Sequence, residues 1–141
     1  MGKKYRGYRF AEGDVMVYKV TKPQPGVLLD PKPSQALRNH SPCGFEWGYC
    51  GSGPAQLALA LLLDATGDPD LSLALYQDFK FTFVAGFPKD AWDMTQDEIL
   101  AWCEAMQDYA PGVRDRILQA RAHGRDMRGH PRLFDGEGGG K

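Results

Sequence analysis

The distribution of apolar residues predicts one buried helix near the middle of the chain. Trp47 and Tyr49 flank a glycine, which suits a short extended segment. The run Gly-Ser-Gly-Pro at 51–54 then turns the chain, and proline is favourable in the first turn of a helix because its φ is already near the helical value. From Ser52 or Gly53 to about Asp64, leucine and alanine fill almost every position, so this helix should be buried on all sides.

Two stretches near the amino end have the composition of β-strands. Residues 5–10 and 14–21 are rich in aromatic and β-branched residues and are separated by Glu12 and Gly13, which predicts a β-hairpin. Both faces of the second strand are largely apolar: Val15, Val17 and Lys19 on one face and Met16, Tyr18 and Val20 on the other. This strand is therefore predicted to lie in the centre of a sheet.

The residues before the buried helix are rich in proline, and those after it include three alternating phenylalanines. Five prolines in residues 22–42 predict a long loop, within which residues 27–29 are the only candidate strand. After the buried helix, residues 71–76 predict a short second helix. Aromatic residues then alternate through 79–85, which predicts a strand that pairs with the hairpin.

The last third of the chain predicts two more helices. Thr95 and Glu98 have the spacing of a capping box, which opens a helix to about Met106. Its apolar residues recur at i, i+3, i+4 and i+7: Ile99, Trp102, Cys103 and Met106. A final helix is predicted from Val113 to Ala122, ended by residues 123–124, with four residues against the core: Val113, Ile117, Leu118 and Ala120.

Together these elements predict an α+β fold, in which a small, mainly antiparallel sheet packs against the buried central helix and two to three further helices. Residues 1–132 are expected to form a single domain, which is the default for a chain of 141 residues. The glycine-rich tail 133–141 has too little apolar content to offset the entropy cost of ordering, so we expect it to be disordered.

Charge is unevenly distributed, although the formal net charge is only −1. Residues 1–22 and 111–132 each hold six basic residues against two acidic ones, whereas residues 33–110 hold three basic residues against eleven acidic ones. Such a pattern is compatible with a charged partner and with a solvated surface. Three cysteines and no amino-terminal leader lead us to expect a cytoplasmic protein without a membrane segment.

The motifs of the sequence do not match those of phosphate binding, of serine hydrolases or of zinc sites. The glycines at 51–53 lack the lysine of a phosphate-binding loop, so they are better explained by close packing and a left-handed turn. Ser52 does not stand in a Gly-x-Ser-x-Gly elbow, and His40 has no evident acidic partner. Cys43, Cys50 and His40 lack the paired spacing of a zinc site. We therefore expect no enzyme activity, no cofactor and no metal.

Binding surfaces are the remaining candidates. The hairpin mixes cations with aromatic rings, as platforms for single-stranded nucleic acids do, and the last helix adds arginines suited to phosphates or acidic groups. The acidic middle of the chain would repel a polyanion. The candidate partner-binding residues are Tyr5, Arg6, Tyr8, Arg9, Arg114, Arg116 and Arg121.

The run from Phe45 to Leu62, FEWGYCGSGPAQLALALL, resembles the signature of a family of small proteins from bacteria, plasmids and phages. The resemblance extends to Tyr-Arg-Gly-Tyr at 5–8, to residues 79–85 and to the helix carrying Ile99 and Trp102. It therefore covers most of residues 5–106. No activity is assigned to that family, so the resemblance supports the fold.

The chain is also similar, in size and composition, to the RNA polymerase inhibitor of a phage that infects a thermophilic bacterium. That similarity implies binding to the β-flap of host RNA polymerase and to region 4 of the primary sigma factor. It further implies inhibition of promoters that need the −35 element, and an effect on termination. We therefore expect a monomeric, phage-encoded regulator in the host cytoplasm. A small nucleic-acid-binding accessory protein is the alternative, and direct nucleic-acid contact is left open.

Overall fold

The computed structural model describes residues 2–128, which form a four-stranded sheet and five helices. The strands are β1 (Lys4–Arg9), β2 (Val15–Val20), β3 (Val27–Leu28) and β4 (Ala91–Thr95). The helices are α1 (Lys32–Leu37), α2 (Ser52–Thr66), α3 (Pro69–Thr82), α4 (Gln96–Tyr109) and α5 (Val113–Arg128). This architecture confirms the predicted α+β class.

The sheet has the order β3-β2-β1-β4, and every neighbouring pair is antiparallel. The hairpin of β1 and β2 and the central position of β2 are therefore confirmed. The candidate strand at 27–29 is present as the two-residue β3. Along β1, Tyr5 and Gly7 are buried while Arg6 and Tyr8 are exposed, so successive residues face opposite sides of the sheet.

Helix α2 is the buried centre of the molecule, as its leucine and alanine content predicts. Ten of its successive residues, from Gly53 to Leu62, are buried. The helix begins at Ser52 and continues two residues beyond the predicted end at Asp64. It ends at Gly67, whose φ of 66° lies in the left-handed region that glycine adopts at little cost.

The capping box of α4 is confirmed. Thr95 Oγ1 accepts a hydrogen bond from the Glu98 N–H at 3.0 Å, and Glu98 Oε1 accepts one from the Thr95 N–H at 2.8 Å. Two main-chain donors that have no partner within the helix are satisfied in this way. Ile99 and Cys103 of this helix are buried, as predicted from their spacing.

The strand predicted at 79–85 is wrong, because α3 extends through Thr82 and a 3-10 turn follows at Val84–Gly86. Phe79 and Phe83 are one helical turn apart, and both rings lie close to Trp102, with centroid distances of 5.3 and 5.9 Å. Phe81 points elsewhere and is 63% exposed. The alternation of phenylalanines therefore does not reflect a strand with one buried face.

Three further predictions need correction. The extended segment predicted around Trp47 and Tyr49 is not a strand, and the fourth strand of the sheet is β4. The proline-rich stretch contains α1, which begins on the Lys-Pro pair at 32–33. Helix α5 continues through residues 123–124, and Leu118, expected in the core, is 62% exposed.

Two expectations concern parts of the chain that lie outside residues 2–128. The tail at 133–141, which is expected to be disordered, and the last residues of the predicted domain 1–132 are not among the described residues. Within residues 2–128, no helix has the combination of length and apolar content that crossing a bilayer requires.

Candidate binding surface

One face of the sheet is not covered by any other element of the described structure. Ten side-chain positions alternate onto this face, and each of them is exposed or half-buried. We call these ten residues the outer face: Lys4, Arg6, Tyr8, Met16, Tyr18, Val20, Leu28, Ala91, Asp93 and Thr95. The opposite face contacts the core, where Val17, Trp92 and Met94 are buried.

The strand register places the residues of the outer face in three rows across the sheet. Each row contains residues from adjacent strands, whose side chains are direct neighbours. The rows are Leu28-Tyr18-Arg6-Asp93, Met16-Tyr8-Ala91 and Val20-Lys4-Thr95. The apolar and aromatic side chains of the face are therefore concentrated on β2 and β3 together with Tyr8, and its few charges lie on β1 and β4.

The chemistry of the outer face is that of a contact surface. Tyr8 and Tyr18 meet edge to face, with ring centroids 6.1 Å apart, and the Tyr18 hydroxyl donates to the Met16 sulfur at 3.2 Å. Two cations and one anion are present, and the pair Arg6–Asp93 is 3.8 Å apart with both side chains about half exposed. Such an exposed pair contributes little to stability, so these charges are available to a partner.

Tyr5 is not part of this surface, and its prediction as a partner contact is wrong. Its side chain is 0% exposed because it points to the core face, where its hydroxyl donates to Asp64 Oδ2 at 2.7 Å. Burial raises the pKa of Tyr5, and the hydrogen bond to Asp64 raises it further. Lys3 and Lys19 also donate to Asp64, at 2.8 and 2.9 Å. This group of side chains joins the sheet to the end of α2.

Arg9, another predicted contact, has its donors engaged within the chain. Its guanidinium makes a two-pronged pair with Glu46 at 3.0 and 2.7 Å, and its Nε donates to the Lys89 carbonyl at 3.0 Å. The same group lies 5.0 Å from the centroid of the Trp47 ring. The hydrogen bonds with Arg9 lower the pKa of Glu46, so the pair is ionised at neutral pH.

The three predicted arginines of α5 each pair with an acidic residue of the chain. Arg114 pairs with Asp108 and Arg116 with Asp78, both at 2.9 Å, and Arg121 pairs with Asp68 at 3.0 Å. Helix α5 packs on α3, so these arginines are not brought to the outer face. Of the seven predicted contacts, Arg6 and Tyr8 lie on the outer face.

The sequence contains signals for other residues of the outer face in the period-two patterns of β2 and of residues 92–94. Alternation along β2 places Met16, Tyr18 and Val20 on one face, but a sequence does not show whether a second layer covers that face. The Trp-Asp-Met pattern at 92–94 has the same period of two and indicated β4. Recognising that strand would have added Ala91 and Asp93 to the candidates.

The signature around 45–62 has a structural role at several positions. A Cβ on Gly53 would lie 2.6 Å from the Glu46 Cβ, and one on Gly51 would lie 2.6 Å from the Tyr49 ring. Close packing therefore explains both glycines. The left-handed turn predicted there is wrong, since Gly51 is extended and the positive φ of 89° belongs to Gly48.

Candidate catalytic and metal-binding residues are not assembled into a site. Ser52 is exposed at the start of α2, and Cys43 and Cys50 are free and exposed. His40 Nε2 lies 2.6 Å from the hydroxyl of Tyr76. Within the described part of the chain, no group of three or more His, Cys, Asp and Glu side chains has the arrangement of a metal site.

Comparison with known proteins gives one match. The model of a family of unknown function, DUF6166, matches residues 5–105. No curated protein and no solved structure matches the chain. Because the matched region is most of the chain, this protein belongs to the DUF6166 family.

Proposed function

We propose that this DUF6166 protein is a non-enzymatic regulator that docks the outer face of its sheet on a protein partner. The observation that supports the proposal best is the composition of that face. Six of its ten residues are apolar or aromatic, and none of the ten is buried by the rest of the described chain. An exposed surface that combines apolar and aromatic side chains with a few charges is typical of interaction sites.

The proposed partner is the RNA polymerase holoenzyme of a bacterial host, contacted at the β-flap and at region 4 of the primary sigma factor. Support for this choice comes from the resemblance, in size and composition, to a phage inhibitor of that enzyme. A regulator that displaces sigma region 4 disfavours promoters that need the −35 element. In this proposal the protein is phage-encoded, acts as a monomer in the host cytoplasm and also influences termination.

Direct binding of single-stranded nucleic acid is the second candidate, and a specific observation favours it. Tyr8 and Tyr18 lie on adjacent strands beside Lys4 and Arg6, so aromatic rings and cations are combined on one surface. Against it, Asp93 lies in the same row as Arg6 and pairs with it. The net charge of the face is therefore small for a polyanion, which makes a protein partner the better proposal.

The direct test is binding of the purified protein to purified RNA polymerase, as core enzyme and as holoenzyme, by biolayer interferometry. The proposal expects saturable binding that is tighter with sigma present, and reduced transcription from a promoter that needs the −35 element. A promoter with an extended −10 element serves as the matched control and should be less affected. Absence of binding to both enzyme forms would contradict the proposed partner.

A parallel titration with a labelled single-stranded oligonucleotide separates the two candidates. The protein-partner proposal expects that any binding at moderate salt is unchanged by Tyr8→Ala and Tyr18→Ala, because the outer face would not contact the oligonucleotide. Binding that weakens steeply as salt rises and is lost in these two variants, with no binding to the polymerase, would support the nucleic-acid alternative.

A further inference from the structure

A second surface, on the helical side of the molecule, brings three basic side chains close to one tyrosine. The loop after α1 is attached to α2 by Gln56, whose side chain is fully buried. Gln56 Oε1 accepts from the main-chain N–H groups of His40 and Ser41, at 2.6 and 3.0 Å, and its Nε2 donates to the Arg38 carbonyl at 3.1 Å. The position of the loop is therefore fixed by a buried polar side chain with satisfied hydrogen bonds.

This loop places two basic side chains around the hydroxyl of Tyr76 on α3. His40 Nε2 is 2.6 Å from that hydroxyl, and Arg38 Nη1 donates to it at 3.5 Å. The His40 and Tyr76 rings are also in contact, with centroids 5.4 Å apart. Lys80 follows Tyr76 by four residues on the same helix, so its side chain lies on the same face as Tyr76.

Lys80 is 8% exposed, and its ammonium group lies 4.4 Å from the centroid of the Phe81 ring. We call Arg38, His40 and Lys80 the basic cluster. No carboxylate of the described chain lies within 4.0 Å of Arg38 or Lys80. Each of six other basic residues has one: Lys3, Arg9, Lys19, Arg114, Arg116 and Arg121. The cluster thus concentrates positive charge without a counterion.

The electrostatic environment of His40 is consistent with this arrangement. Burial lowers the pKa of His40, and the positive charges of Arg38 and Lys80 lower it further. When the Tyr76 hydroxyl donates to Nε2, the ring proton of His40 is on Nδ1. Arg38 and Lys80 carry hydrogen-bond donors only, so an anion is the ligand that suits both of them.

We propose that the basic cluster is a binding site for a phosphoryl group. A phosphate-type anion would accept hydrogen bonds from Arg38 and Lys80 and would supply the missing counterion. The ligand is either a small phosphate compound, such as a nucleotide, or a phosphodiester of single-stranded nucleic acid. This inference does not rest on the proposed function, because the cluster and the outer face are separate surfaces.

The test is a titration of the full chain with pyrophosphate, followed by NMR of the His40 imidazole and by calorimetry. We expect saturable binding and an increase in the pKa of His40, because a neighbouring anion favours the protonated ring. Arg38→Gln and Lys80→Met should each weaken binding by about tenfold or more, since each removes a charged hydrogen-bond donor. Arg38 is exposed, so that variant should fold normally; thermal unfolding checks the fold of both.

Arg114→Gln is the matched control, because Arg114 is an exposed arginine outside the cluster that already pairs with Asp108. It should bind pyrophosphate like the wild type. A nucleotide and a short single-stranded oligonucleotide are the other two arms: tighter binding of one identifies the source of the phosphoryl group. Absence of binding in all three arms, or equal loss in the Arg114→Gln variant, would overturn the proposal.

Discussion

Asp64 shows how a single carboxylate connects the sheet to the central helix. Burial opposes its ionisation, but hydrogen bonds from Lys3, Lys19 and Tyr5 together outweigh that effect and hold the pKa of Asp64 below its ordinary value. Because the pKa is lower in the folded state, ionised Asp64 stabilises the fold above the ordinary value of 3.8, and this contribution is lost as pH falls through the folded pKa.

We therefore predict that Asp64→Asn lowers the free energy of unfolding at pH 7 by about 1–3 kcal/mol, because charge-assisted hydrogen bonds from the half-buried Lys3 and Lys19 and from the buried Tyr5 are weakened or lost. Near pH 2 the difference from the wild type should shrink. Asp93→Asn, which changes an exposed carboxylate, is the control and should stay within about 0.5 kcal/mol of wild type. Urea unfolding at both pH values provides the measurement; an equal loss at both would argue against the role of the charge.

Gly53 provides a second prediction at this scale. A Cβ there would lie 2.6 Å from the Glu46 Cβ, whereas one on Gly86 would have no neighbour within 4 Å. Gly53→Ala should therefore destabilise the protein by about 1–3 kcal/mol through overpacking, and Gly86→Ala should have little effect. Chemical denaturation of the two variants compares them directly, and similar stabilities would show that α2 can move away from Glu46.

Tyr5 and Tyr8 show what the sequence predicts at the level of single residues. They are three positions apart in one strand, so alternation places them on opposite faces of the sheet. Their side chains are identical, and nothing local shows which of the two is buried. The choice depends on Asp64, which is 59 positions from Tyr5 and accepts its hydrogen bond.

At the scale of single elements, the stability of helix α4 is predicted to depend on its cap residue Thr95. Thr95→Ala removes the acceptor for the Glu98 N–H and should cost about 1 kcal/mol, while Thr95→Ser keeps the oxygen and should retain most of the stability. Thermal unfolding monitored by circular dichroism can rank the three proteins. If the alanine variant unfolds at the same temperature as the serine variant, the cap does not stabilise α4.

The elements differ in how well the sequence predicts them. The hairpin, α2 and the capped start of α4 were predicted because local propensity, turn residues and apolar period agree there. Phe79, Phe81 and Phe83 alternate by coincidence: the first and third match the helical period and meet Trp102, while the second is exposed. A short apolar run does not distinguish the strand period of two residues from the helical period of about 3.6 residues. The contact of Phe79 and Phe83 with Trp102 of α4 is what favours the helix here.

At the scale of the whole molecule, the helices lie on one side of the sheet and leave the outer face uncovered. The α+β class followed from the order of elements, but the free face did not, because an apolar strand face has the same sequence pattern whether it is covered by a second layer or used in binding. The same ambiguity explains why Arg6 and Tyr8 were predicted together with Tyr5, which proved to be buried.

The central claim is that the outer face is the docking surface, and Leu28→Glu tests it most directly. Leu28 is exposed in the row that contains Tyr18 and Arg6, so a carboxylate there should leave the fold intact and weaken binding to RNA polymerase holoenzyme by about tenfold or more. Tyr109→Glu is the matched control, since Tyr109 is 84% exposed and lies on α4. The account predicts weaker binding for Leu28→Glu alone; equal affinities for both variants and the wild type would contradict it.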